Sequence, residues 1–284
     1  MAQWTIDQPA TRTLDGIVAL RVRIVGGHLN ILPTDDPVTF DISEISGEPL
    51  LVTQEAGILT ITYDDLTRSG LLERLRPSQL SKYRGVGRRS AMIDLRVPRE
   101  CPLELTTVSA PVVIAGGSAK TRVRSASGDV TLDDINGEID VNTVSGDIAG
   151  RDLSGSLHCN TVSGQVAVAG GRVSDFSARS GSGRLLADVD LTAAARVRLA
   201  SVSGDVALRV PAETAATVEL RSAMGRVDSA FGLDRRDLRG RSTMSGNIGD
   251  GIDPATVTTT SVSGGVSLLR RQPDAPAAIP RGTT

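Results

Sequence analysis

The sequence predicts an all-β protein, a parallel β-solenoid of about 18–21 residues per coil behind an N-terminal β-rich capping region. Three observations predict it. A small turn unit, SGx(V/I/L), recurs at near-constant spacing, and the residues after each of its glycines alternate apolar and polar. Aromatic residues make up only 2% of a chain that is 39% apolar, so Val, Ile, Leu and Ala must fill the core, which suits the narrow, regular space between stacked strands. At 284 residues the chain is long enough to bury such a core without disulfides or metals.

Residues 1–14 read as an N-terminal extension. Residues 15–108 carry the glycine rule in GGHLNIL (Gly27, Leu29, Ile31) and AGILTIT (Gly57, Leu59, Ile61), among longer alternating runs such as IVALRVRI, VTFDIS, LLVTQ and AMIDLRVP. With the turn signals PTDDP and SGEP these runs predict a partly antiparallel region that covers the first coil and blocks edge pairing. Residues 64–90 interrupt it; there Leu71, Leu72 and Leu75 have helical spacing, ended by Pro77.

Residues 109–270 are the repeats. The glycines are Gly128, Gly146, Gly164, Gly183, Gly204, Gly225, Gly246 and Gly264, at intervals of 18, 18, 19, 21, 21, 21 and 18. Half-period copies at Gly137 and Gly155 imply two strands per coil. Two and four residues beyond the glycines stand Val130 and Leu132, Ile139 and Val141, Leu157 and Cys159, Val166 and Val168, Leu185 and Ala187, Val206 and Leu208, Val266 and Leu268. A period of two puts these on one face of a strand, the core face. Ile148, Val227 and Ile248 keep the first place only. Such short strands cannot stand alone, but neighbours about 4.8 Å above and below pair their backbones and stack their side chains. In this reading glycine frees the backbone for the turn, Asp129, Asp147 and Asp205 face water, and Arg184, Asp205 and Arg226 pair on the surface. The Pro-rich residues 271–284 read as a disordered tail.

Composition limits the chemistry. A net charge of −2 and a pI near 5.8 give no global attraction to nucleic acid, which is not an expected partner. Cys101 and Cys159 have no zinc-type spacing and read as structural thiols, Cys159 buried and Cys101 the more accessible. The residue after each column glycine alternates in sign, which does not suit a calcium ladder; no metal and no cofactor are expected. The close acidic sets Asp133/Asp134 and Asp188/Asp190 read as solvated turn residues, and His158 faces outward without a neighbouring nucleophile. No GxSxG, HExxH or Walker motif occurs, so no catalytic residues and no enzyme are expected. The start, MAQWTIDQPATRTLDG, lacks a basic and an apolar signal region, and no apolar run approaches membrane-spanning length; a cytoplasmic location is the expectation.

The candidate interaction surface is the interruption. Between residues 68 and 89, Arg68, Arg74, Arg76, Lys82, Arg84, Arg88 and Arg89 stand against Glu73 alone, a local charge of +6, which would suit an unknown protein or an anionic surface. The serial SGDV, SGDI and SGQV turns, the GGHLNILPTDDP and ITYDD segments and the basic insertion resemble the bacterial β-strand-repeat family of putative adhesins, a domain of unknown function, over roughly residues 15–270. The resemblance implies the architecture and supplies no functional residues. It favours a non-enzymatic binding or scaffold protein, with a surface adhesin as the alternative. Self-assembly is a further expectation, because residues 257–268 show no polar cap and an open coil there would pair with another chain.

Overall fold

The computed structural model describes residues 2–67, 89–238 and 241–272. Among them it is all-β, with a single helix of four residues. The chain opens with β1 (Ala2–Ile6), β2 (Ala10–Leu14), β3 (Ala19–Ile24), β4 (Gly26–Pro33), β5 (Val38–Ser46), β6 (Leu50–Glu55), β7 (Ile58–Thr62) and the helical turn α1 (Asp64–Thr67). Next come β8 (Ser90–Val97), β9 (Leu103–Thr107), β10 (Val112–Gly117), β11 (Thr121–Ser125), β12 (Val130–Asn142), β13 (Ile148–Arg151), β14 (Ser154–Thr161), β15 (Val166–Ser180) and β16 (Leu185–Ser201). The last are β17 (Val206–Pro211), β18 (Ala216–Ser222), β19 (Val227–Ser229), β20 (Asp234–Leu238), β21 (Arg241–Ile248), β22 (Ala255–Ser261) and β23 (Val266–Arg271).

These strands form two parallel ladders. The first runs β8–β4–β10–β12–β13–β15–β16–β17–β23–β19. The second runs β7–β3–β9–β11–β12–β14–β15–β16–β22–β18. Val112 lies opposite Val130, Val130 opposite Ile148 and Ile148 opposite Val166, so the register advances by the spacing of the sequence repeat. Strands β12 and β15 each pass through both ladders, while the rung between them is split into β13 and β14. Those four strands therefore close a small ring. The inward positions predicted from the glycine register are buried, Val130, Ile139, Cys159, Val206 and Leu268 among them. Both ladders run across residue 108 without a break.

The order of the rungs differs from the order of the repeats. Strands β22 and β23 do not end the stack; β22 lies between β16 and β18, and β23 between β17 and β19. The expected open end at residues 257–268 is therefore interior. A physical reason is visible in the two competing rungs. Residues 255–268 bury Ala255, Val257, Val266 and Leu268 and the rung of β18 and β19 buries Ala216, Val218, Leu220 and Val227, but the latter ends in a three-residue strand and runs on into the charged DRRDL of β20. The rung with the longer second strand takes the place where that strand pairs on both edges, and the three-residue β19 is left with one partner. Gly246 also leaves the predicted column, since β21 pairs antiparallel to β18.

The same device appears at the other end, where β3 and β4 sit between β7/β8 and β9/β10. There β5 and then β2 cover β8, while β6 and then β1 cover β7, all antiparallel, so residues 1–14 contribute strands to the sheet. At the far end β21 and then β20 cover β18.

Each residue of the SGD unit serves the neighbouring rung. The column glycines do not have positive φ, so turn freedom is not their reason. A Cβ on Gly183 would stand 1.7 Å from the carbonyl oxygen of Gly164, and one on Gly264 2.1 Å from that of Gly204. Close approach of rung to rung excludes every other residue. The half-period Gly155 differs, with φ of +100° and only 2.5 Å of room to the Gly137 carbonyl. The serine before the glycine donates outward to the previous rung, as Ser163 does to the Val144 carbonyl at 3.3 Å. The aspartate after it accepts a backbone N–H of the next rung: Asp147 from Gln165 at 2.7 Å, Asp205 from Gly265 at 2.8 Å. With Asp205 so engaged and the rung of β23 intervening, the expected Arg184–Asp205–Arg226 pairing does not form.

A buried hydroxyl stands three residues before each column glycine, a feature the glycine pattern alone did not reveal. Ser222 accepts the N–H of Gly225 at 2.8 Å and donates to the Gly264 carbonyl at 2.9 Å; Ser261 accepts from Gly264 and donates to the Gly204 carbonyl at 3.2 Å. Ser222 and Ser261 thus each pin two rungs together and satisfy polar backbone inside the core.

Candidate functional site

Of the seven cations in the predicted interaction surface, Arg68, Arg74, Arg76, Lys82, Arg84 and Arg88 lie outside the described residues, as do the predicted helix at Leu71–Leu75 and all but the first two residues of the tail. Arg89 is described, and its side chain is only 8% exposed. Its guanidinium pairs with Glu48 and lies 5.3 Å from the centre of the buried Tyr63 ring. Arg89 is therefore a buried residue and no part of an exposed surface. A desolvated cation is tolerated where a carboxylate and a ring face it.

Three of the four residues of the acidic sets are engaged with arginines, while Asp134 is exposed, with φ of +50°. Asp133, on β12, accepts two hydrogen bonds from Arg151 on the next rung, at 2.8 and 2.7 Å, and that guanidinium holds its carboxyl below the ordinary range. Asp188 accepts from Arg209 on the next rung and from Arg271 Nε, two rungs away, at 2.9 Å; Arg271 also reaches Asp190 at 2.9 Å. Burial pushes the Asp188 carboxyl up, and the two arginines more than offset it, so its net shift is downward. Such a group contributes its stability in full above the ordinary aspartate value of 3.8 and loses it as pH falls through the lower folded value. Asp188→Asn is therefore expected to cost about 1 kcal/mol near neutrality and almost nothing at strongly acid pH, read from urea midpoints at both. An equal cost at both would mean that the ion pairs do not carry the effect.

His158 has a nucleophile-bearing neighbour after all: Ser156, two residues earlier on the same face, places Oγ 3.2 Å from Nε2. Asp140, opposite His158 on the adjoining rung, is occupied by Arg122 at 3.4 Å and Asn142 at 2.6 Å. Cys101, expected to be accessible, is buried like Cys159. Burial pushes the two thiols up to about 11 and about 12 respectively. Neither is expected to react with a thiol reagent in the native protein, while both react on unfolding; fast native labelling of either would contradict the burial.

Two outward faces remain. On the first ladder the centre is small and apolar: Ala149, Ala167, Ala169, Leu186, Ala207 and Leu269 line a shallow cavity of about 440 Å³. The second ladder presents polar rows along the stack. In its middle row, Arg21 pairs with Glu104 at 2.9 Å and Arg122 with Asp140, so charge is neutralised between those rungs, while Arg198 further along the row makes no ion pair with any described residue.

The row beside it, at the rim, reads Arg23, Thr106, Arg124, Asn142, Asn160, Arg179, Ala200, Thr260 and Arg221 along successive rungs. It contains no carboxylate. Arg221 pairs with Glu219, but Arg23, Arg124 and Arg179 make no ion pair with any described residue. Asn160 donates to Asn142 at 3.0 Å, and Asn142 donates to Asp140. A cavity of about 370 Å³ opens beneath Arg124 and Asn142, against Thr106 and Val144. Sequence reasoning missed this row, although from Arg124 onward its positions lie four residues before the column glycines.

Stacked parallel rungs that carry patterned outward rows define an all-β strand-repeat protein. The chain belongs to the Toastrack DUF4097 family, whose model matches residues 100–170 and 154–269, more than half of its length. No curated protein matches it. Among solved structures it is similar to a putative adhesin from Bacteroides fragilis, with 12% identity over 93% of this chain and 98% of that one and a TM-score of 0.44. It is also similar to a putative adhesin from Parabacteroides distasonis (10% identity, 93% and 97% covered, TM-score 0.43) and to a putative lipid binding protein from the same species (13%, 94% and 98%, TM-score 0.31). No helix among the described residues is long and apolar enough to cross a membrane.

Proposed function

We propose that the chain is a non-enzymatic binding or scaffold module, and that its two ladders are opposite walls of a parallel β-solenoid. The regular register supports the solenoid, as does the ring of β12, β13, β15 and β14, which arises where a continuous rung follows a split one. The observation that carries the binding reading is the rim of the second ladder, where Arg23, Arg124 and Arg179 make no ion pair with any described residue, while Arg21 and Arg122 in the row beside it are paired with Glu104 and Asp140. A partner that lies along the stack would meet a straight line of side chains about 4.8 Å apart, which rigid strands hold in place. Asp133, Asp188 and Asp190 are committed to arginines, and Asp140, the carboxylate opposite His158, is occupied by Arg122 and Asn142, which favours binding over turnover.

Photo-crosslinking in the native cell tests this reading. A photoreactive residue at Asn160, on the rim, is expected to yield adducts well above those from the exposed turn position Ser182. Equal yields from both would overturn the proposal. Fractionation of the same cells tests the proposed cytoplasmic location against the surface-adhesin alternative.

A further inference from the structure

We infer that the rim row of the second ladder binds a linear acidic polysaccharide, one that carries carboxylates at intervals along its length. This rests on the binding-module reading and names that module's partner.

The spacing of the unmatched cations is the first argument. Arg23 and Arg124 are two rungs apart and Arg124 and Arg179 three, or roughly 10 and 14 Å at the spacing of paired strands. Three guanidiniums without a counter-ion among the described residues stand in line on a chain whose net charge is −2. An anionic polymer would therefore be held by the row itself and not by the overall field. The guanidinium fork matches a carboxylate with two parallel hydrogen bonds.

The groups between the cations give the second argument. Asn142 and Asn160 each spend one amide hydrogen on the chain Asn160 to Asn142 to Asp140, which leaves each a second N–H and leaves the Asn160 Oδ1 open. Paired donors and acceptors of this kind suit hydroxyl groups. Outside the row stand Val144, 52% exposed, and Val162, 59% exposed, an aliphatic ridge for the C–H faces of sugar rings. No aromatic side chain lies in the row, so it lacks the stacking platform on which single-stranded nucleic acids are held. The cavity under Arg124 is at the small end of the range of ligand sites, room for one sugar unit.

The test uses the full chain with three probes: polygalacturonate, its methyl-esterified form, and duplex DNA. The protein is expected to bind polygalacturonate, with an affinity that falls as salt rises, and to bind the esterified polymer far less. Arg124→Glu with Arg179→Glu should weaken binding by about tenfold or more, whereas Arg184→Glu with Arg226→Glu, the same charge change on the exposed turn edge, should alter it less than about twofold. Asn142→Ala with Asn160→Ala should weaken binding while preserving its salt dependence. Matching thermal unfolding midpoints guard against loss of fold. Equal affinity for the esterified polymer, equal loss in both arginine variants, or tighter binding of DNA would each overturn the inference. Silence towards polygalacturonate while crosslinks from Asn160 persist would remove the polysaccharide and leave the binding module; silence in both would remove both.

Discussion

Gly183→Ala is expected to destabilise the protein by about 3 kcal/mol or more, a large fraction of the stability of an ordinary domain. The added methyl would stand 1.7 Å from the backbone carbonyl oxygen of Gly164, which accepts the Ser180 hydroxyl, and not from the end of a flexible side chain that could give way. Gly246 looks equivalent in sequence, but its neighbour is the movable Leu233 Cδ2 at 3.2 Å, and Gly246→Ala should cost less than about 1 kcal/mol. Gly232 has nothing within 4 Å and no positive φ; alanine there should be neutral or stabilise by up to about 1 kcal/mol through the unfolded chain. Urea denaturation midpoints rank the three. Similar costs at 183 and 246 would mean that both stand in one column, contrary to the rung order described above.

The second large effect is all-or-none. Ala207 lies opposite Ser267, and Ser267 opposite Asp228, all on the outward side of the first ladder. Cysteines at 207 and 267 are expected to form a disulfide under mild oxidation, as are cysteines at 267 and 228. Cysteines at 207 and 228 would be two rungs apart, roughly 10 Å, beyond the reach of a disulfide. The buried native thiols do not compete. A rung order that followed the sequence would give the opposite result, with 207 joined to 228.

Much of the architecture was legible before any coordinates. A period of two places Val166 and Val168 on one face, and a repeat of about 18–21 residues places Val166, Leu185 and Val206 above one another, so strand and stacking follow together. The reason for the glycine was not legible: a residue that permits positive φ and one that permits close approach look alike in sequence, and only the neighbouring carbonyl distinguishes them. Rung order was hidden for a related reason. Repeats that resemble one another can pair in several orders, and the choice falls to which rung leaves its weaker strand on the outside. The rim row escaped notice because the turn drew attention to the residues after each glycine, while Arg124, Asn142, Asn160 and Arg179 precede it. The acidic sets could be placed but not paired, since Arg271 reaches Asp188 from more than eighty residues away.

Placement of β22 and β23 between earlier strands also sets a timetable. During synthesis the chain emerges from its N-terminus, and the segment that holds β18 to β21 is complete before the rung that belongs beneath it exists. That segment must wait with its apolar rows uncovered or dock one rung too low and later withdraw. Strands β3 and β4 face the same delay, until β9 and β10 arrive on one side and β7 and β8 on the other. Refolding should accordingly be slow, as contacts that close long loops predict, with a misdocked species as its natural trap.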